Sequence, residues 1–390
     1  MKTPLAKVAF IIPLIYFLFV TGEFLTLTAV TLSLTEAGYS AFAVGSGISA
    51  LWLGLFTTSL LAHQVVHRLG LAKAFCGASL LAPIPLVVIY LVPSYPIFLL
   101  GALGLGLAGG IIWVTGESWL VASVPADRRG LYVGLFETSV GLGMVCGPLL
   151  LAGVLRLDLP PLPFGIGLTI LAALSALPLL KLPATPATKM PSEGAVPLRA
   201  TSAIFIIAAL SGLMESGTSG LLPTVSVRLG ASVEAAALLG TVIGVGSAAL
   251  QLPAGALADR FGSSRLILGC WMVLAALGLL LLGTADSPGL ALWIAGFGFG
   301  GAGGAVYTAL VIDLGHRLSG PALVRAMGKT VTSYTAGTMI GPALGGLLFD
   351  LGGLPALAGA ITAGALAGGV LSLAPKRPSD CQNAHRGETG

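Results

Sequence analysis

Four ionisable residues stand where an apolar sequence rarely admits them. Glu23, Glu137, Glu215 and Lys329 each lie well inside a long hydrophobic run. At 1.5 Å per helical residue, Glu23 falls about 22 Å into its run, Glu215 about 21 Å, Glu137 about 14 Å and Lys329 about 12 Å. The hydrocarbon core of a bilayer is about 30 Å thick, and an ionised side chain near its middle costs about 2.5–3.5 kcal/mol on insertion scales. Such a group persists by facing an aqueous passage, pairing with an opposite charge, or taking a proton. Loss of water favours the neutral form of a carboxylate and rehydration favours the charged form, so an acid that alternates between the two can couple proton movement to a conformational change. Glu23 is the first candidate for that carrier and Glu215 the second. Glu137 and Lys329 read either as cavity groups or as a mutually neutralised structural pair.

A second set of charges lies nearer the ends of the runs. Glu117 and Asp313 sit about two turns before the ends of theirs, and Arg129 and Arg325 open the runs that follow. Each acid is placed to meet the arginine of the adjacent helix as a gate; the alternative is a direct role toward substrate or proton. Trp113, Tyr334, Trp52 and Phe24 offer an aromatic wall for an apolar or cationic body, or else ordinary packing and interfacial anchors.

The elements that position these residues follow from composition. Of 390 residues, 56% are hydrophobic and 9% charged, with a mean hydropathy of +0.99. Soluble domains carry about 25% charged residues, and no soluble globule of this size covers its surface with so few. A soluble enzyme, a nucleic-acid binder and a disordered scaffold are thereby excluded, which leaves a helical integral membrane protein. The 56 glycines point to closely packed helices. Cys76, Cys146, Cys270 and Cys381 are scattered without a CxxC, so neither a disulfide framework nor a metal site is expected.

Apolar runs long enough to span fall near 8–34, 41–66, 71–92, 95–123, 128–155 and 161–182, then near 201–227, 232–257, 264–284, 288–315, 321–349 and 353–374. The proline-rich, charged stretch 183–200 reads as a linker between residues 1–182 and 201–374, and 375–390 as a disordered tail. Lys2 and Lys7 before the first run resemble a signal peptide, but the run is too long for one, contains Glu23 and lacks an obvious A-x-A site. With both termini inside, sixteen of the nineteen Lys and Arg residues fall on the cytoplasmic side. Arg156 and Arg228 face the other side, and Lys329 lies within a span.

The two halves repeat each other. HRLG at 67–70 returns as DRFG at 259–262, and Glu23 as Glu215, both at an offset of 192. Gly104, Gly106 and Gly109 return as Gly298, Gly300 and Gly303, and Gly147–Pro148 as Gly341–Pro342, at 194. Glu117 and Arg129 return as Asp313 and Arg325, at 196. The match of Gly298–Gly303 to GxGxxG is therefore read as helix packing, since a dinucleotide site needs a preceding strand.

Two parallel six-helix repeats resemble the major facilitator superfamily. GALADRFGSSRL at 255–266 is similar to its loop signature, whereas HQVVHRLGLAK at 63–73 departs from it, with His63 for the glycine and His67 for the aspartate. GESWL at 116–120, RRG at 128–130 and SYTAGTMIGP at 333–342 resemble the YcaD-like bacterial permeases. The resemblance implies an all-α fold of twelve transmembrane helices in two pseudo-symmetric bundles, in the bacterial inner membrane. It also implies a cytoplasmic gate formed by Asp259, Arg260 and Arg265 with Arg129. The Gly337–Gly346 stretch is similar to the superfamily's antiporter motif but stands in the eleventh span rather than the fifth. The fourth-span arginine of many proton-driven drug exporters is missing from LGALGLGLAGG at 100–110.

The expected function is secondary transport by alternating access, without a cofactor, since no GxxxxGK[ST] is present. Protons are the expected coupling ion and the bilayer the surrounding, with a monomer as the working unit. The acids of the cavity (Glu23, Glu137 and Glu215 against Lys329) favour a cationic, zwitterionic or amphipathic small molecule, with export ahead of proton-linked uptake of a polar metabolite. A membrane sensor lacks a visible output domain. A membrane hydrolase lacks a base near its acids, since His63, His67 and His385 lie elsewhere.

Overall fold

A computed structural model describes residues 3–123, 129–181, 198–285, 289–318 and 320–373, apart from some side chains within them. The linker from 183 to 197 and the tail from 374 lie outside the described residues. The described chain is helical. Its first half comprises α1 (Thr3–Glu36), α2 (Ala41–Leu69), α3 (Leu71–Leu81), α4 (Pro83–Leu91), α5 (Tyr95–Ser123), α6 (Arg129–Arg156) and α7 (Pro161–Ala176). Its second half comprises α8 (Leu198–Ser219), α9 (Leu222–Arg228), α10 (Val233–Phe261), α11 (Ser263–Gly283), α12 (Gly289–Arg317) and α13 (Gly320–Ser372).

Eleven stretches among the described residues are long and apolar enough to cross a membrane. α3 and α4 form one of them, broken where Pro83 lacks the amide that would continue the helix. α8 and α9 form another. The last, Arg325–Ser372, has 48 residues; at 1.5 Å each it would measure about 72 Å, more than twice a hydrocarbon core. It turns a corner at Gly352 (φ −149°, ψ 23°) and Gly353 (φ 61°, ψ −157°). Gly353 adopts a positive φ that a side chain would resist. The runs read from the sequence as 321–349 and 353–374 fall on the two limbs. Apolar side chains cover all faces of these helices, and Phe10, Leu290 and Leu351 are largely exposed, as lipid contact requires.

Two hydrophobic clusters form the interior, one from Val8 to Leu179 and one from Ile204 to Ala365. Glycine contacts repeat between them. In the first half α2 meets α5 through Gly54 against the Leu103 carbonyl and Gly106 against that of Leu51. In the second, α10 meets α12 through Gly246 against the Phe297 carbonyl and Gly300 against that of Ile243. These are the same positions displaced by 192 and 194 residues. The Gly298–Gly303 stretch thus lies inside α12 and serves packing.

The halves meet at one end. Gly45 of α2 lies against the Pro342 carbonyl of α13, Gly346 of α13 against the Ala41 carbonyl, and the Ala343 amide donates to Ser49 Oγ at 3.2 Å. Gly240 and Gly244 of α10 face Pro148 and Val145 of α6. A third apolar cluster joins Leu25, Leu32 and Leu151 to Ala236 and Ala237. All of these lie toward the end that carries residues 36–41, 156–161, 228–233 and 350–353, hereafter the sealed end. Toward the opposite end Glu137, which shares a face of α6 with Met144 and Pro148, is exposed, so α6 is not covered by the other half at that point.

The repeated glycine contacts admit no Cβ without moving backbone. Gly300→Val is expected to lower the thermal midpoint in detergent, an overpacking cost of about 1–3 kcal/mol. Gly269→Ala, where a Cβ meets nothing within 4 Å, is expected to leave it unchanged or raise it.

Candidate functional site

Glu23 lies on the face of α1 that also carries Phe19 and Tyr16. Phe19 packs on Gly109 of α5, and the Tyr16 hydroxyl donates to the Ile112 carbonyl of the same helix. On either side, Gly22 fits against Gly165 of α7, and Thr21 and Phe24 against Gly147 of α6. Glu23 is only 8% exposed and makes no hydrogen bond or ion pair with any described residue.

Its counterpart Glu215, on α8, is held differently. The Tyr334 hydroxyl of α13 donates to its carboxylate at 2.9 Å. Gly303 of α12 leaves room for the side chain, since a Cβ there would lie 3.1 Å from Glu215 Cγ. Tyr334 in turn meets Tyr307 of α12, with ring centroids 4.7 Å apart. The second half therefore carries a chain from carboxylate to phenol to phenol.

The first half answers with an aromatic group on matching helices. Trp113, 194 residues before Tyr307, meets Tyr16 edge-on at 6.0 Å and Phe136 at 5.9 Å, and Tyr16 meets Phe136 at 4.4 Å. Trp113 remains 36% exposed. Glu117 and Glu137 are within electrostatic reach of each other, of Tyr16, and of Tyr307 in the other half. Because Tyr307 belongs to the second half, these two acids front the space between the halves.

Lys329 does not join them. It is exposed, five residues before Tyr334 and hence about 140° round the helix from it. It shares its side of α13 with Ile340 and Leu347, 48% and 41% exposed. A lysine near a helix end can lay its stem along lipid and carry the ammonium to the interface. Glu137 and Lys329 form no ion pair among the described residues, so of the two readings the neutralised pair is not the arrangement seen.

Among the gate residues, Asp313 pairs with Arg317 of its own helix at 2.5 Å, a partner the spacing had not indicated. Arg325 and Glu117 are half-buried, and Arg260 and Arg265 are exposed, Arg260 lying over the Phe261 ring. The side chains of Asp259 and Arg129 lie outside the described residues. Phe24 is taken up by α1–α6 packing, and Trp52 is half-buried in α2. No group of three potential metal ligands occurs among the described residues, and Cys76, Cys146 and Cys270 are free thiols.

Sequence reasoning passed over Tyr16, Phe136 and Tyr307. Tyr307 was available as the aromatic that occupies Trp113's position in the repeat. Tyr16 and Phe136 look like core residues, and only their contact with Trp113 distinguishes them.

The sequence matches the Major Facilitator Superfamily over residues 13–202 and 204–388. It is 23% identical over 321 residues to the MFS-type transporter YfkF of Bacillus subtilis, covering 79% of this chain and 80% of that one. To the MFS-type transporter YcaD of Escherichia coli it is 25% identical over 325 residues, covering 83% and 84%. The fold is similar to a variant of the nucleoside transporter NupG (TM-score 0.76, 14% identity, 95% of this chain and 98% of that one). It is also similar to a bacterial homologue of the lysosomal transporter Spinster in an inward-facing, unoccupied conformation (TM-score 0.68, 16% identity, 96% and 95%). With this match across both halves, on a helical membrane fold whose glycine contacts repeat, the chain belongs to the major facilitator superfamily of transporters.

Proposed function

We propose that this transporter moves a cationic, amphipathic small molecule in exchange for protons, in the direction of export. The observation that carries the reading is the unequal holding of two equivalent acids. Glu215 is tied to Tyr334 beside the inter-half space, whereas Glu23 is buried with no partner among the described residues. An unpartnered buried acid suits a proton carrier. An acid that shares its hydrogen bond with a phenol in an aromatic wall suits a ligand site, where a cation is attracted by carboxylate and ring face together. Glu117 and Glu137 add acidic groups from the other half, and Lys329, about 140° round α13 from Tyr334, sets no positive group beside that wall for a zwitterion.

In this reading the chain forms twelve spans in the bacterial inner membrane, as bundles 1–182 and 201–374 joined by a cytoplasmic linker, and it works as a monomer. Positive charge near the termini orients it with both termini inside. The sealed end then faces outward and the open end faces the cytoplasm, a state ready to load substrate for export. Asp259, Arg260 and Arg265 with Arg129, and Glu117 with Asp313, Arg317 and Arg325, are proposed to close the cytoplasmic end in the alternate state. Uptake of a polar metabolite with protons uses the same groups in the reverse sense.

In proteoliposomes, substrate-dependent proton movement is expected in the wild type and should collapse in Glu23→Gln, with substrate binding retained. Intact proton-driven transport in both Glu23→Gln and Glu215→Gln contradicts the assignment. Tetraphenylphosphonium, a cationic aromatic probe, is expected to raise the thermal midpoint of the purified protein. Tyr334→Phe should weaken that binding about tenfold, the scale of a hydrogen bond to a charged group. An equal effect from a neutral aromatic of the same size would point to an apolar site without charge preference.

A further inference from the structure

The contacts at the sealed end include one whose chemistry differs from the packing around it. Both carboxylate oxygens of Asp350, at the end of the first limb of α13, accept backbone amides at the start of α2 in the other half. Ala41 N donates to Oδ1 at 2.9 Å and Phe42 N to Oδ2 at 2.8 Å. Ser40 caps the same helix start by accepting from Ala43 N at 3.1 Å, and Arg228 donates to the neighbouring Tyr39 carbonyl. The first amides of a helix have no intrahelical partner and carry its positive pole, so a carboxylate placed there is held by two charge-assisted bonds.

The internal repeat supplies a second seam to compare. Ser40 corresponds to Ser232, which caps α10 by accepting from Ala235 N. Phe42 corresponds to Glu234, and Asp350 corresponds to Arg156, at the end of α6. At this second seam the charges are exchanged. The carboxylate stands on the helix start itself, and an arginine from the opposite half lies within electrostatic reach of it. Both seams therefore set a negative group at a helix N-terminus, and at the first it is joined across the halves by two amides.

We infer that Asp350 with the α2 N-terminus is an electrostatic clasp that holds this end of the transporter shut and sets how often it opens. The clasp has to break in the alternate state, because α2 and α13 separate when that end opens. Its carboxylate stands at the exposed rim of the seam, where water can replace the two amides once they part. This rests on alternating access and is independent of the role given to the cavity acids.

The test measures the distance across the sealed end directly. Spin labels are placed at Leu157 and Leu290, exposed sites in the two halves near that end, in full-length protein with its cysteines replaced. The unsubstituted background is expected to give one short, dominant distance. Asp350→Arg should raise the ratio of opened to sealed molecules about tenfold, the scale of one charge-assisted hydrogen bond. Asp350→Asn should raise it less, because one acceptor oxygen remains. Adding Phe42→Glu to Asp350→Arg recreates the second seam's pattern in the first and should bring the sealed distance back. A distribution unchanged in both Asp350 variants overturns the proposal. So does failure of Phe42→Glu to restore the sealed distance in a double variant that is folded by thermal midpoint. If Asp350→Arg does not fold, the Asp350→Asn distribution alone decides. Loss of transport in cavity variants leaves this outcome untouched.

Discussion

The cost of dehydrating a carboxylate governs this molecule. An ionised acid in hydrocarbon is tolerated only with water, a partner or a proton, and Glu23 and Glu215 sit at the same place in two copies of one bundle with different solutions to that cost. Glu215 has a phenol at 2.9 Å, and its helix neighbour is a glycine that leaves it room. Glu23 has neither. Duplication placed the two acids alike; the aromatic residues that followed distinguish them, since Tyr334 has its counterpart in Val140, which can donate nothing.

The close glycine contacts follow from the same constraint. Without a hydrophobic force between helices in lipid, association relies on near approach of backbones. The carbonyl contacts of Gly54, Gly106, Gly246 and Gly300 provide it within each half. Between the halves the contacts described gather at one end, and several of them are polar. Contacts of that kind exchange with water at modest cost, which suits a surface that has to open and close.

Much of this was legible in the chain. The spans, the repeat and the superfamily resemblance could be read because hydropathy and glycine spacing are local signals. Glu23 and Glu215 stood out because an acid in an apolar run has few explanations. Sequence left Glu137 and Lys329 open between cavity groups and a pair: opposite charges at similar depth look like partners until the helix rotation is counted, and five residues from Tyr334 turn Lys329 to the other side of α13. Asp350 was missed altogether, because an acid at the end of a span reads as a loop residue. Only the fold brings it to the start of a helix more than three hundred residues earlier. The corner at Gly352–Gly353 falls where the runs 321–349 and 353–374 meet, and the helix continues on both sides of it.

The central claim is that positions 23 and 215 meet water from the space between the halves, and that this access changes with state. It is tested most directly by thiol labelling of Glu23→Cys and Glu215→Cys, each in a background without other cysteines, in vesicles of known orientation. A membrane-impermeant, positively charged reagent is expected to reach both positions from the cytoplasmic side and to be slowed by bound substrate. Reaction only with a lipid-soluble reagent, or no reaction with either in any state, would contradict a water-accessible passage at these acids.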